Sequence, residues 1–101
     1  MIVYNVTVNV DEAIAHEWVA WMKGQFLPAL AKMGGYESHR LLHLQDEIAE
    51  SNGQTFAMQI NLKGVEALLA FQGGAEKEFF QLMNVKYRGK YAAFATTLKE
   101  I

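Results

Sequence analysis

The chain opens with Met1-Ile-Val-Tyr-Asn-Val-Thr-Val-Asn-Val10, in which every even-numbered residue is apolar. The odd positions after Met1 hold Val3, Asn5, Thr7 and Asn9. Successive side chains of a β-strand point to opposite faces, and β-branched residues such as valine favour strands. The stretch therefore predicts a strand that turns an apolar row toward a core and a largely polar row the other way.

The composition limits the class of protein. A chain of 101 residues that is 51% hydrophobic can bury one core, so we expect a single domain over residues 1–101. No run approaches the roughly 20 apolar residues of a membrane span, which predicts a soluble, cytoplasmic protein without membrane contact. Cysteine is absent and the net charge is −2. These values exclude disulfides and argue against nucleic acid as a partner.

Two helical units are predicted from the spacing of apolar residues. The first is expected to begin with Asp11 as its N-cap and to end at Gly34, the first of two consecutive glycines. Pro28 predicts a kink or break in this unit, because its ring clashes with the carbonyl group of Gly24. The second unit is predicted over residues 65–87, with an interruption at its Gly-Gly pair.

Three more strands are predicted, over residues 36–45, 54–62 and 90–101. The polar stretch 46–53 ends in Asn-Gly and predicts a hairpin loop between the second and third strands. The third strand alternates as clearly as the first, with an apolar row of Phe56, Met58, Ile60 and Leu62. In the fourth strand, Phe94 and Leu98 are assigned to one face and Tyr91 to the other.

The order β-α-β-β-α-β predicts a ferredoxin-like α+β fold, a four-stranded antiparallel sheet with both helical units on one face. The first and third strands are then central, and their apolar rows face the helices. This assignment leaves an open face that carries Asn5, Thr7, Asn9, Gln59 and Asn61. Because no element of the chain remains to cover that face, we expect a homodimer.

Several segments resemble a short bacterial family of domains of unknown function in the dimeric α/β-barrel superfamily. They are Ile2–Asp11, Trp18–Met22 with Phe26-Leu-Pro28, Arg40–Leu44 and Gly89–Phe94. The resemblance spans nearly the whole chain. It implies a homodimer whose two sheets pack face to face, and it implies no particular activity.

The open face supplies the candidate ligand site. Asn5 and Gln59 on the central strands are predicted to form its floor, with His39 on the neighbouring edge strand and Tyr91 on the opposite side. Amide side chains both donate and accept hydrogen bonds, which suits a neutral polar ligand, but they are poor general acids or bases. The same row also fits a hydrated dimer interface, so the sequence leaves both interpretations open.

The histidines do not predict a metal site. His39 and His43 share a face, but four residues along a strand separate them by roughly 13 Å, too far for both to bind one ion. His16 lies four residues after Glu12 on the first helical unit, which is typical of a surface charge pair. No metal ligands, cofactor or catalytic residues are therefore predicted.

Two functions remain open. The first is a non-catalytic homodimer that binds a small molecule or is purely structural, because no acid, base, nucleophile or phosphate loop can be assembled from the predicted rows. The alternative is a cofactor-independent monooxygenase or isomerase that acts on a small aromatic compound. Its cavity would be walled by Tyr4, Trp18, Trp21 and Met58. A titratable group with a pKa near neutrality in an apolar pocket would separate the two.

Overall fold

The computed structural model of the protein describes residues 1–46 and 53–101. Its strands are β1 (Ile2–Asp11), β2 (Ser38–His43), β3 (Gly53–Leu62) and β4 (Tyr91–Lys99). Its α-helices are α1 (Ala15–Trp21), α2 (Leu27–Met33), α3 (Val65–Gly73) and α4 (Ala75–Tyr87). A 3-10 turn at Glu12–Ile14 precedes α1, and a π-helical segment at Met22–Phe26 joins α1 to α2. The predicted order is confirmed, and each helical unit consists of two α-helices.

The four strands form one antiparallel sheet in the order β2-β3-β1-β4. As predicted, β1 and β3 are the central pair. Their register places Tyr4 opposite Ile60 and Asn5 opposite Gln59. Residues directly opposite each other in an antiparallel pair point to the same face. Because Tyr4 and Ile60 are buried, the Asn5 and Gln59 row lies on the other face, away from the helices.

The core fills the space between the helices and the apolar rows of β1 and β3. Trp18 of α1 is fully buried at its centre and packs on Phe56, with 5.1 Å between ring centroids. Its Nε1–H donates to the sulfur of Met83 at 3.1 Å, so one side chain contacts both the sheet and α4. Burial of large apolar side chains, each worth about 1.5–3 kcal/mol, is what holds the two helical units against the sheet.

The predicted break in the first helical unit takes the form of a π-helical turn. Pro28 has no backbone N–H and its ring clashes with a regular helical carbonyl four residues back. The helix widens before Pro28, so that the N–H of Leu27 donates to the carbonyl of Met22, five residues back. The helical path continues beyond this turn, and both Phe26 and Leu30 remain in the core. α2 then ends at Gly34, whose φ is +71°, as predicted.

Several sequence-based assignments need correction. Asp11 lies at the end of β1 and precedes the 3-10 turn, but its side chain makes no capping hydrogen bond. The sequence pattern places Phe94 and Leu98 on the face opposite the polar row, yet Phe94 pairs with Thr7 and therefore lies on the open face. The predicted hairpin loop at 46–53 lies, apart from its first and last residues, outside the described residues.

Candidate functional site

The centre of the open face is a row of hydrogen-bonded polar side chains. The Asn5 Nδ2 group donates to Thr7 Oγ1 at 3.1 Å and to Thr96 Oγ1 at 3.4 Å. Asn9 and Asn61 donate in the same way to hydroxyl groups on neighbouring strands, at 3.0 and 2.8 Å. The side chain of Gln59 makes no hydrogen bond to a described residue. The side-chain amide of Gln59 and the side-chain oxygen Oδ1 of Asn5 are therefore available to water, a ligand or a second chain.

Apolar side chains flank this polar centre on both edge strands. Leu42 of β2 lies opposite Ala57, while Phe94 and Leu98 of β4 lie opposite Thr7 and Val3. The three large side chains are 41%, 61% and 53% exposed. Sequence reasoning missed this feature because it assigned the rows of both edge strands, β2 and β4, to the wrong faces. Residue size gave no signal of the orientation, because Ala92 on the open face is as small as Ala93, which packs against the core.

The structure does not bring the four predicted site residues together. Asn5 and Gln59 are neighbours on the open face, as expected. His39, however, lies opposite Ile60 and therefore on the helix side of the sheet. Tyr91 lies opposite Val10, and its hydroxyl group donates to Asn84 Oδ1 of α4 at 2.5 Å. The prediction that all four line one surface is wrong, because both edge-strand residues occupy the opposite face.

His39 instead lines a cleft between β2 and the π-helical segment with α2. The cleft has a volume of about 410 Å³ and is lined by Lys23, Leu27, Pro28, Ala31, His39, Arg40 and Leu41. Three of these residues are basic and none is acidic. The Nδ1 atom of His39 lies 3.0 Å from the hydroxyl oxygen of Tyr36. Burial raises the pKa of Tyr36 above its ordinary value, so this hydroxyl group keeps its proton at neutral pH.

A tyrosine and a carboxylate form a hydrogen bond at the helix side of β1. Tyr4 is 1% exposed, its ring packs on Phe71 with centroids 4.9 Å apart, and its hydroxyl group donates to Glu76 Oε2. Burial, together with the hydrogen bond to Glu76 and its charge, raises the pKa of Tyr4 well above 10. A catalytic base needs a pKa near neutral pH, and the raised pKa of Tyr4 lies further from that range than the ordinary tyrosine value does.

The aromatic residues proposed as cavity walls belong to the core. Tyr4, Trp18, Trp21 and Met58 are all buried in it. Trp21 contacts the rings of Phe26 and Tyr87, with centroids 5.7 and 5.8 Å apart. Because these side chains pack on one another and on other core residues, they act as packing groups.

Two further findings concern metals and membranes. Within residues 1–46 and 53–101, no three histidine, aspartate or glutamate side chains lie close enough to hold a metal ion. In the same part of the chain, no helix is both long enough and apolar enough to cross a membrane.

The family model described as a domain of unknown function, DUF4286, matches residues 1–101. The chain belongs to this family. The DUF4286 match agrees with the resemblance expected from the sequence, and it adds no reaction or ligand. No curated protein matches the chain.

Among solved structures, this DUF4286 chain is similar to an ethyl tert-butyl ether d (ethd) family protein from Bacillus halodurans C-125. The TM-score is 0.69 at 14% sequence identity, and the similarity covers 100% of both chains. This level of identity supports a shared fold and nothing more. A protein described as putative PII-like signaling, from Thermus thermophilus, has a TM-score of 0.41 at 14% identity over 97% of this chain and 85% of its own. That score is too low to support a conclusion.

Proposed function

We propose that this protein is a non-catalytic homodimer whose subunits associate through the open faces of their sheets. The observation that carries the proposal is the pair of exposed apolar flanks formed by Leu42 on one edge strand and by Phe94 and Leu98 on the other. Exposed apolar groups of this size on one sheet face are typical of an interaction surface. A second copy of the same chain offers a face of the same composition.

The polar centre of this face fits a symmetric, hydrated interface. Most amides of the row already donate to hydroxyl groups on neighbouring strands, so burial leaves few polar groups without partners. Water bridges the remaining amides in many protein interfaces at little cost in affinity. The family resemblance to dimeric α/β barrels supports the same arrangement of two sheets.

The chemistry of the face supports a structural or binding function rather than catalysis. Asn5, Gln59 and their threonine neighbours neither gain nor lose protons near neutral pH. A ligand between the two sheets would be a small neutral molecule that hydrogen-bonds to the side-chain oxygen of Asn5 and the side-chain amide of Gln59.

Phe94→Lys tests the dimer. We expect its association constant to fall by about 1,000-fold, because loss of an aromatic anchor typically costs about 2 kcal/mol and twofold symmetry places it in the interface twice. Arg40, which lies on the same face, repels the new positive charge. Sedimentation velocity over a range of concentrations measures the change.

Leu69→Lys is the matched control. Leu69 is 61% exposed, as is Phe94, but it lies on α3 on the other side of the sheet. The Leu69→Lys variant should therefore have the association constant of the wild type. A wild-type chain that is monomeric at micromolar concentration, or an equal loss of association in both variants, would rule out the proposed interface.

The ligand part of the proposal has its own test. Thermal-shift screening of neutral polar compounds should find stabilisation that is lost in Asn5→Leu and Gln59→Leu. Asn84→Leu, a change of the same type on α4, serves as the control. A compound that stabilises all of these variants equally binds elsewhere and removes the open face as its site.

A further inference from the structure

We infer that the cleft between β2 and the first helical unit is a binding site for a small carboxylate with a short apolar body. The cleft lies on the helix side of the sheet, so the inference does not depend on the proposed dimer.

The charges around the cleft suit an anion. Lys23 carries a positive charge and forms no salt bridge with any residue in the described ranges 1–46 and 53–101. Arg40 of the edge strand β2 also borders the cleft, but its register with Gln59 directs its side chain toward the open face, so Lys23 supplies the positive charge at the rim. The described salt bridge nearby joins Lys63 to Glu37 at 3.8 Å, outside the group that lines the cleft. A cation without an acidic partner beside a concave surface attracts a carboxylate.

The Tyr36–His39 contact adds a hydrogen-bond donor. The hydroxyl group of Tyr36 keeps its proton at neutral pH and can donate it to His39 Nδ1, 3.0 Å away. In a neutral imidazole this bond places the remaining proton on Nε2. Nε2–H is then the group that His39 offers to an anion. Tyr36 acts as a positioning residue that selects this tautomer.

The rest of the cleft is apolar. Leu27, Pro28, Ala31 and Leu41 provide its walls. The π-helical turn contributes Lys23 at the same place, and π-helical turns inside helices occur frequently at functional sites. A volume of about 410 Å³ is within the range of small-molecule sites. A charged rim beside an apolar wall fits a carboxylate with a short hydrocarbon chain.

Hexanoate is a suitable probe. Its binding is measured from the amide chemical shifts in an NMR titration of the full chain. We expect saturable shifts at Leu27, Ala31 and Leu41, with a Kd on the order of millimolar for so small a ligand. Hexanol, which lacks the charge, should bind at least about fivefold more weakly. Shifts confined to the open face, no saturation, or equal binding of hexanol would overturn the inference.

Variants separate the site from general attraction of an anion. Lys23→Glu should weaken hexanoate binding about tenfold, whereas Lys23→Arg should retain it. Lys77→Glu on α4 makes the same change of charge away from the cleft and should have little effect. Equal weakening by Lys23→Glu and Lys77→Glu would show that net charge alone is responsible, and would overturn the site.

Tyr36→Phe tests the positioning role. It removes the hydroxyl group but keeps the ring, so we expect weaker hexanoate binding and a change in the imidazole tautomer, read from the His39 ring nitrogen shifts. Tyr91→Phe is the control, because Tyr91 bonds to Asn84 and does not line the cleft. An unchanged tautomer together with unchanged binding would exclude this role for Tyr36.

Discussion

Ile60→Ala is expected to lower the free energy of unfolding by about 2–5 kcal/mol. Ile60 is fully buried on β3, where it lies beneath the helices and opposite Tyr4. Truncation removes buried methyl and methylene groups and leaves a cavity that the central strands cannot readily close. Denaturant unfolding measured by circular dichroism gives the change.

Asn5→Ala is the comparison on the other face. Asn5 is only partly buried, and water can replace its hydrogen bonds to Thr7 and Thr96, so the loss should be about 1 kcal/mol or less. Phe56→Ala should behave like Ile60→Ala, because Phe56 packs on Trp18. A larger loss for Asn5→Ala than for Ile60→Ala would mean that the two faces of the sheet are reversed.

The buried Tyr4 hydroxyl group should make the protein sensitive to alkaline pH. The pKa of Tyr4 is raised above its ordinary value of 10.0, first by burial and then by Glu76. Above pH 10 the unfolded chain releases this proton while the folded chain keeps it, so the folded state loses stability as pH rises. The contribution is complete below about pH 10 and falls by about 1.4 kcal/mol per pH unit above it.

Tyr4→Phe isolates this effect. At pH 7 the variant should lose about 1.5–3 kcal/mol, because the hydrogen bond to a carboxylate is removed. Above pH 10 its stability should fall less steeply than that of the wild type. Tyr36 and Tyr87 also have raised pKa values and contribute to the decline in both proteins, so the difference in slope reports on Tyr4. Parallel pH profiles would contradict a buried, protonated Tyr4 hydroxyl group.

Secondary structure followed from local patterns, and the strand order followed from the order of the elements and the right-handed crossover rule. In Ile2–Asp11 every even position is apolar and the odd positions are polar apart from Val3, so only one orientation buries the apolar row. The third strand carries the same information in Phe56, Met58 and Ile60. The break before Pro28 was also predictable, because the missing N–H and the ring clash are properties of one residue.

Half of the predicted site residues were placed on the wrong face because they lie on the edge strands. In β2 and β4 both rows contain apolar side chains, such as Leu41 and Leu42, so the local pattern fits either orientation. A change of one residue in register turns every side chain to the other face. This is why His39 and Tyr91 were placed beside Asn5, although they lie across the sheet from it.

The sequence alone determined the α+β class, the element order, the central pair of strands and their buried rows. The elements and their buried rows depend on the spacing of residues that are near one another in the chain, and the central pair depends on the order of those elements together with the right-handed crossover rule. Only the tertiary structure decided that Phe94 lies on the open face and that His39 lies in a cleft with Lys23. Those placements depend on cross-strand register and on packing between distant segments, which local spacing does not record.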